Sequence, residues 1–577
     1  MSNYNNFKLA IYCTAPFMDG ISGVEKLEKE FAFFEKYIKP DKVYLETHRG
    51  SVDLKRQKME KIIEFFEDKG IEVSGGITPT IKGINTEKQD RFMNVFCYTD
   101  KDMREKIKEI SEYSASLFDQ FILDDFFFTN CTCSSCIEAK GEKSWEEFRL
   151  EKMVEVSENL VINPARKVNS DVDIIIKYPN WNEAYQHNGY NTEKQPEIFD
   201  YIYTGTETRD SKYTQQDLPR YASYSLMRWM NNVKEAVNLG GWFDSIDCNY
   251  NIGYYLEQAY LTAFAKTKEI TLFNFSGLND TAYIPALGHE LKKVDKVIGK
   301  LGKPEGIPFY QPHHARGEDH LYDYLGMTGV PLEPVPEFPK TEETILLTED
   351  STTDKHIMEK IKNHLTQGQA GNLVLTSGFL VEMMGKGIEE ITSVRYTDSK
   401  IKSNLFAFKT EGCAFSEYHY SNKEISLPVL QYKTNDSWPE IVAIVEDNNF
   451  PFLIQDRYGK GKIFILTVPE NYADLYHLPK SILTYLRKLI SRDLEVYLES
   501  EGKVGLFLYD NETLIVESFL PYKTKIKLHI KDKNNIYIKD IISNEKLNSI
   551  QSNKDKSIFE VSLAPSSYQS FKIVDKG

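Results

Sequence analysis

The chain lacks the features that would carry it through or onto a membrane. Its first residues, Met1-Ser-Asn-Tyr-Asn-Asn-Phe-Lys8, hold no basic stretch followed by an apolar one, and no apolar run of roughly 18 residues occurs later. A cytoplasmic protein with no membrane partner is expected, although a signal peptide removed beforehand would leave the same trace. Clustered Lys and Arg are also missing and the net charge is −16, which excludes a phosphate backbone as partner and favours a neutral ligand. Nucleotide motifs are absent too: Gly378 follows a strand-like run and Gly459-Lys460-Gly461 sits in a hairpin-like position, but neither completes a G-x-G-x-x-G or a P-loop. No organic cofactor is expected. Cysteines number seven in 577 residues, too few for a disulfide framework, yet Cys131, Cys133 and Cys136 crowd together as in a metal site of a reducing compartment.

What is present concentrates in Phe121-Ile-Leu-Asp124-Asp125-Phe-Phe-Phe-Thr-Asn-Cys131-Thr-Cys133-Ser-Ser-Cys136, where an apolar strand runs into two carboxylates and then into the cysteines. A strand that delivers carboxylates at its C-terminal end is how an α/β barrel builds a catalytic site. Eight strand-like runs support that reading: Lys8 to Thr14, Lys42 to Thr47, Ile71 to Ile77, Gln120 to Phe127, Asp171 to Tyr178, Phe199 to Thr204, Gly241 to Cys248 and Glu269 to Phe275. Between them lie helical periodicities such as Val24 to Ile38, Asp102 to Leu117, Trp145 to Val168 and Tyr221 to Val237. The expected class is therefore α/β, a TIM (β/α)8 barrel over 1–304, with Leu291 to Leu301 as last helix and Gly302-Lys-Pro-Glu-Gly306 as exit linker. A Rossmann-like α/β domain is expected over 305–493 and a small antiparallel β-sandwich, with alternating runs from Val504 to Val574, over 494–577.

This three-part order, with the cysteine pattern, resembles glycoside hydrolase family 42, the microbial β-galactosidases. In that family an Asn-Glu pair ends the fourth barrel strand, C-x-C-x2-C follows, and an upstream cysteine completes a zinc site. Here Cys131, Cys133 and Cys136 match the triplet and Cys97 the upstream ligand. The resemblance implies a structural Zn, a glycan or oligosaccharide substrate, a middle domain resembling amidotransferases without their catalytic machinery, and a homotrimer assembled through it. The chain departs from the family where Asn-Glu is replaced by Asp124-Asp125, and its seventh strand carries Asp244 and Asp247 but no Glu. Glu207, after the sixth strand, is the best remaining glutamate.

The expected activity is an exo-acting retaining glycoside hydrolase on a terminal galactose-type sugar, with Asp124, Asp125 and Glu207 as catalytic candidates. Such cleavage needs one carboxyl kept protonated for the leaving oxygen and one kept ionised against the oxocarbenium-like centre. A fourth-strand Asp facing a sixth-strand acid also resembles retaining α-galactosidases, in which the Asp is nucleophile and Glu207 would be acid/base. Binding candidates are Glu46, His48 and Arg49 after the second strand; Lys177, Tyr178 and Trp181 after the fifth; Arg209 beside Glu207; and Trp242, Asp244, Asp247 and Asn249 around the seventh. Two other classes remain: a metal-dependent hydrolase or deacetylase, for which His313-His314 lies beyond the barrel, and a non-catalytic carbohydrate-binding protein, against which the acid pair speaks.

Overall fold

The computed structural model describes residues 4–81, 94–210, 214, 216, 218–341, 343–367, 371–412 and 414–576. The chain divides into two compact units, Met1–Gly299 and Lys300–Gly577. In the first unit eight parallel strands close on themselves: β1 Lys8–Cys13, β2 Lys42–Arg49, β3 Glu72–Thr78, β4 Gln120–Leu123, β5 Asp173–Tyr178, β6 Tyr201–Gly205, β7 Asn238–Asp244 and β8 Glu269–Phe273, with β8 paired to β1. Every strand expected from the sequence is present. Two ends differ. β4 stops at Leu123 because Asp124 and Asp125 turn out of the sheet, and β7 begins at Asn238 and ends at Asp244. The last barrel helix starts earlier than expected, at Tyr283, with Pro285 in its first turn, where a missing N–H costs nothing.

Side chains alternate between lumen and outer layer along each strand. Ala10, Tyr12, Tyr44, Ile122, Ile175, Tyr203 and Trp242 form one buried layer inside the barrel. Their sequence neighbours, such as Phe121, Leu123, Ile174, Ile176 and Ile202, pack in the cluster outside it. Gly76 makes room in the lumen: a Cβ there would lie 2.6 Å from the Tyr12 hydroxyl.

In the second unit, nine strands form a mixed sheet. Leu332–Val335, Ile307–Tyr310, Ile345–Leu347, Leu373–Thr376 and Gly461–Leu466 are parallel, and Asn448–Tyr458, Trp438–Val445, Val394–Phe408 and His419–Tyr432 extend the sheet antiparallel. The parallel half is Rossmann-like. The long hairpin Val394–Phe408 with His419–Tyr432 escapes a sequence reading because its exposed Asp398, Ser399, Lys400 and Lys402 break the apolar alternation. Gly459, with φ at 60°, makes the tight turn into Gly461–Leu466, as its hairpin-like setting suggested.

The C-terminal strands build two antiparallel sheets, one of six strands and one of four. The exit linker is corrected here. Pro304–Glu305 is not free chain but a strand of the six-stranded sheet, antiparallel to Val504–Tyr509. A two-residue edge strand with a proline leaves no sequence signal, since Pro suits such edges as well as loops. Arg487 is fully buried and donates to the carbonyl oxygens of Thr328, Leu498, Ser500 and Glu501. Burial pulls this guanidinium down to about 9. Arg487→Met strips three buried acceptors and one part-buried acceptor of their donor, so a loss of about 3 kcal/mol in unfolding free energy is expected, read by chemical denaturation.

Candidate active site

The alternation that fills the barrel also lifts polar groups to its C-terminal rim. Two residues beyond Tyr44, Ile122, Ile175 and Trp242 stand Glu46, Asp124, Lys177 and Asp244, all buried. Glu207 enters just past β6, over Gly205, where a Cβ would sit 2.6 Å from the Glu207 Oε2. At this rim a barrel places its chemistry.

Lys177 is the hub. Its Nζ lies 2.7 Å from Asp125 Oδ2, 3.0 Å from Glu207 Oε1 and 4.0 Å from Asp124 Oδ1, and 4.4 Å above the centre of the Trp242 ring. Asp124 is held on all sides: its Oδ2 accepts from Arg49 Nη2 at 2.6 Å and Thr78 Oγ1 at 2.8 Å, and its Oδ1 from the Asp125 N–H at 2.7 Å. Arg49 Nε also reaches both oxygens of Glu46, which accepts further bonds from the Tyr12 hydroxyl and the Ala15 N–H and shares the one Thr78 hydroxyl proton with Asp124. Behind Glu207, Arg209 forks onto Asp244, Nε to Oδ1 at 3.0 Å and Nη2 to Oδ2 at 2.7 Å. Of the two acids on Lys177, Asp125 is the more open, its side chain 15% exposed against 4% for Glu207.

Electrostatics divide these acids. Burial pushes the Asp124 carboxyl up, but Arg49, Lys177 and its hydrogen bonds outweigh that and hold it at about 2. Burial and then the charge of Asp124 push Asp125 well above the carboxylate range, against the pull of Lys177. Burial also raises Glu207, Lys177 opposing and Asp244 adding to it. Burial would discharge Lys177, yet Asp125, Glu207 and Asp124 keep it protonated above its ordinary range. Because Asp124 ionises more easily folded than unfolded, its contribution to stability is full above its unfolded value near 4 and is lost as pH falls through about 2. Acid titration of Asp124→Asn, followed by circular dichroism, is expected to show less destabilisation than the parent across that window.

Other expected site residues fall elsewhere. His48 is buried, with its Nδ1 2.8 Å from Asp53 Oδ1 and its Nε2 3.0 Å from the Thr80 carbonyl, so both ring nitrogens are engaged within the protein. Tyr178 faces outward, one step out of phase with Lys177, and packs on Tyr185 and Tyr190. Trp242 is 2% exposed and forms the floor under Lys177, so it offers no open sugar platform. Trp181 is half-buried with its ring edge against Phe128. Asp247, in a left-handed turn, and exposed Asn249, which accepts from the Tyr283 hydroxyl, lie farther along the loop, and no described contact joins them to the carboxylates.

The sequence reading missed residues that hold this rim. Asn180 Nδ2 donates to the Glu207 carbonyl at 2.5 Å, and Gln258 accepts from the Thr208 and Arg209 N–H groups while donating to the Asp244 carbonyl. Thr78 could have been found, since it continues the inward phase of β3. Gln258 carried no signal, because it comes from a helix rather than a strand end. Asp244→Asn, which strips Arg209 of its charge partner, is expected to lower kcat/KM by about 10- to 100-fold, read in steady-state kinetics.

The four cysteines converge as the spacing suggested. Cys97, Cys131, Cys133 and Cys136 are buried, with ligand atoms within 4.8 Å of one another and Cys97 Sγ 3.6 Å from Cys136 Sγ and 3.8 Å from Cys133 Sγ. A tetrahedral ion with Zn–S bonds of about 2.3 Å needs sulfurs about 3.8 Å apart, so the donor set fits a metal. The four sulfurs bring the segment after β3 together with the loop that follows Asp124 and Asp125. Among the described residues no other convergent group of metal-type ligands occurs. His313 and His314 lie in the second unit, outside the barrel.

Comparison with known proteins agrees with this layout. A family model described as the catalytic domain of a probable glycosyl hydrolase matches residues 1–289. The chain belongs to this family of probable glycosyl hydrolases. The remainder of this glycosyl hydrolase matches the second domain of the uncharacterized protein SSO3021 over 302–471 and a probable glycosyl hydrolase C-terminal domain over 495–573. SSO3021 itself, from Saccharolobus solfataricus, is 27% identical over 526 residues, 84% of this chain and 83% of its own. Two solved structures share the fold: the α-L-fucosidase isoenzyme 2 of Paenibacillus thiaminolyticus, 10% identical, TM-score 0.64, covering 99% of this chain and 100% of its own, and the β-galactosidase of Halorubrum lacusprofundi, 10% identical, TM-score 0.61, covering 98% and 99%. No helix among the described residues is long and apolar enough to cross a membrane.

Proposed function

We propose that this glycoside hydrolase is exo-acting and retaining, and that Asp125 and Glu207 are its catalytic pair on a terminal galactose-type sugar. One observation carries the proposal: a single ammonium touches both acids, at 2.7 and 3.0 Å. Their nearest oxygens can be no farther apart than those two contacts laid end to end. That span is compatible with the about 5–5.5 Å of retaining enzymes and short of the about 6.5–9.5 Å that inverting enzymes need for a water. Asp125, more open and strongly raised, is the acid/base at the mouth; Glu207, deeper, is the nucleophile. Asp124 has both oxygens engaged by donors and serves to hold Arg49 and the Asp125 turn. The sugar class follows the resemblance to family 42 and the two similar solved enzymes, named for galactose and for fucose, itself a deoxygalactose.

A second reading exchanges the roles, with Asp125 as nucleophile on an α-linked sugar. It is favoured by the shorter Lys177 contact to Asp125 and by Glu207 Oε2, which is buried without a hydrogen-bond partner and suits a proton carrier. A panel of α- and β-nitrophenyl galactosides and fucosides, with proton NMR of the first-formed anomer, tests both readings. Retention of configuration supports the pair, and inversion overturns it. The cysteine site we assign to structural zinc, and residues 305–493 to homotrimer assembly. Light scattering at three times 66.7 kDa is the expected mass, and a monomer would reject the trimer.

A further inference from the structure

We infer that Lys177 is a positioning residue that keeps one proton shared between Asp125 and Glu207, rather than a ligand for the sugar. This deepens the two-carboxylate reading and rests on it. A lysine that binds substrate hydroxyls presents its ammonium to the cavity. The Lys177 side chain is instead 1% exposed, two of its donors are spent on Asp125 and Glu207, and the Trp242 ring closes one side.

The charges facing it set the proton count. On the β4 side stand Asp124 and Asp125, on the β6 side Glu207, and β7 contributes Trp242. Asp124 shares the Arg49 charge with Glu46, and Arg209, paired with Asp244, acts on Glu207 only from a distance, with Asp244 opposing it. Lys177 is the cation in contact with both Asp125 and Glu207. One cation between two acids is locally neutral when the pair carries a single proton, which is the state a retaining enzyme needs before it binds substrate. With the cation gone, a second proton enters the pair and the nucleophile is lost. The two acids therefore titrate as a unit whose position Lys177 fixes.

The test compares pH–rate profiles of the full chain carrying Lys177→Met, Lys177→Gln and Lys177→Arg. Both limbs of the kcat/KM profile are expected to move to higher pH by about one unit or more in Met and Gln, since each acid loses a cation within contact distance. At the parental optimum kcat falls by up to about tenfold for each unit by which the limbs move, with KM within about threefold, while Arg leaves both limbs within about 0.3 units. A large rise in KM with unmoved limbs would make Lys177 a sugar ligand, and a fall in kcat with unmoved limbs would make it only structural. Either result overturns the inference. Gln keeps hydrogen-bond donors without charge and serves if Met fails to fold. Carboxyl 13C NMR titration of the substrate-free protein separates this failure from that of the parent reading. If no glycoside is turned over, the hydrolase proposal falls, yet Asp125 and Glu207 resonances that titrate identically with and without Lys177 are what would reject the present one.

Discussion

Glu207→Gln and Asp125→Asn each lower kcat by about four orders of magnitude or more on substrates with poor leaving groups, while melting temperature changes little. The two part on activated substrates. A nitrophenolate leaves without a proton, so loss of the acid/base spares the first step and accumulates glycosyl-enzyme, whereas loss of the nucleophile stops it. Azide then identifies each residue by product. A glycosyl azide with the substrate's configuration marks the acid/base variant, in which azide replaces water at the second step. One of inverted configuration marks the nucleophile variant, in which azide fills the vacated carboxylate's place. With Asp125 as acid/base and Glu207 as nucleophile, Asp125→Gly yields the first product and Glu207→Gly the second. The exchanged result selects the α-linked reading, and no azide product from either removes both residues from the chemistry. Substituting either acid also relieves repulsion among buried carboxylates, so these variants are expected to be no less stable than the parent, the usual sign of a site arranged for function.

Removing the metal from the cysteine site has the second largest expected effect. Elemental analysis should return one zinc per chain. Stripping it with a strong chelator, or Cys133→Ser, should lower the melting temperature by about 5–10 °C and abolish most activity, with recovery on adding Zn2+ to the chelated protein. The reason lies in the rim. Cys97 follows β3 and the triplet follows β4, so removing an ion held by all four sulfurs leaves protonated thiols with no common bond and frees the loop that begins with Asp124 and Asp125. A protein that contains no zinc and is untouched by chelation would leave the cluster as reduced thiols in a core, and the zinc proposal would fall.

The barrel was legible because its strands are short β-branched or aromatic runs separated by helical periods, and because the cysteine spacing marks the loop after β4. Much of the site was legible for the same reason: strand ends gave Asp124, Asp125, Lys177 and Asp244. What misled was treating every polar or aromatic residue near a strand end as facing the lumen. Strand phase separates Lys177 from Tyr178, and applied strictly it would have left Tyr178 to the outer layer and added Thr78. His48 and Gln258 lie beyond such a rule. The first is turned by a bulge after Glu46 in the β2–β3 pairing, and the second arrives from a helix distant in sequence. The mixed sheet of the second unit was half legible, since its parallel strands are apolar and its antiparallel hairpin is half exposed.

The strand Pro304–Glu305 bears on how the gene can be dissected. The piece of chain that leaves the barrel supplies an edge of the sheet formed by residues some two hundred positions later, as the pairing of Pro304 with Tyr509 records. A C-terminal fragment begun at 494 would expose the unpaired backbone of Val504–Tyr509, an invitation to intermolecular strand addition. Cloning boundaries drawn before Lys300, leaving 300–577 in one piece, keep that sheet whole.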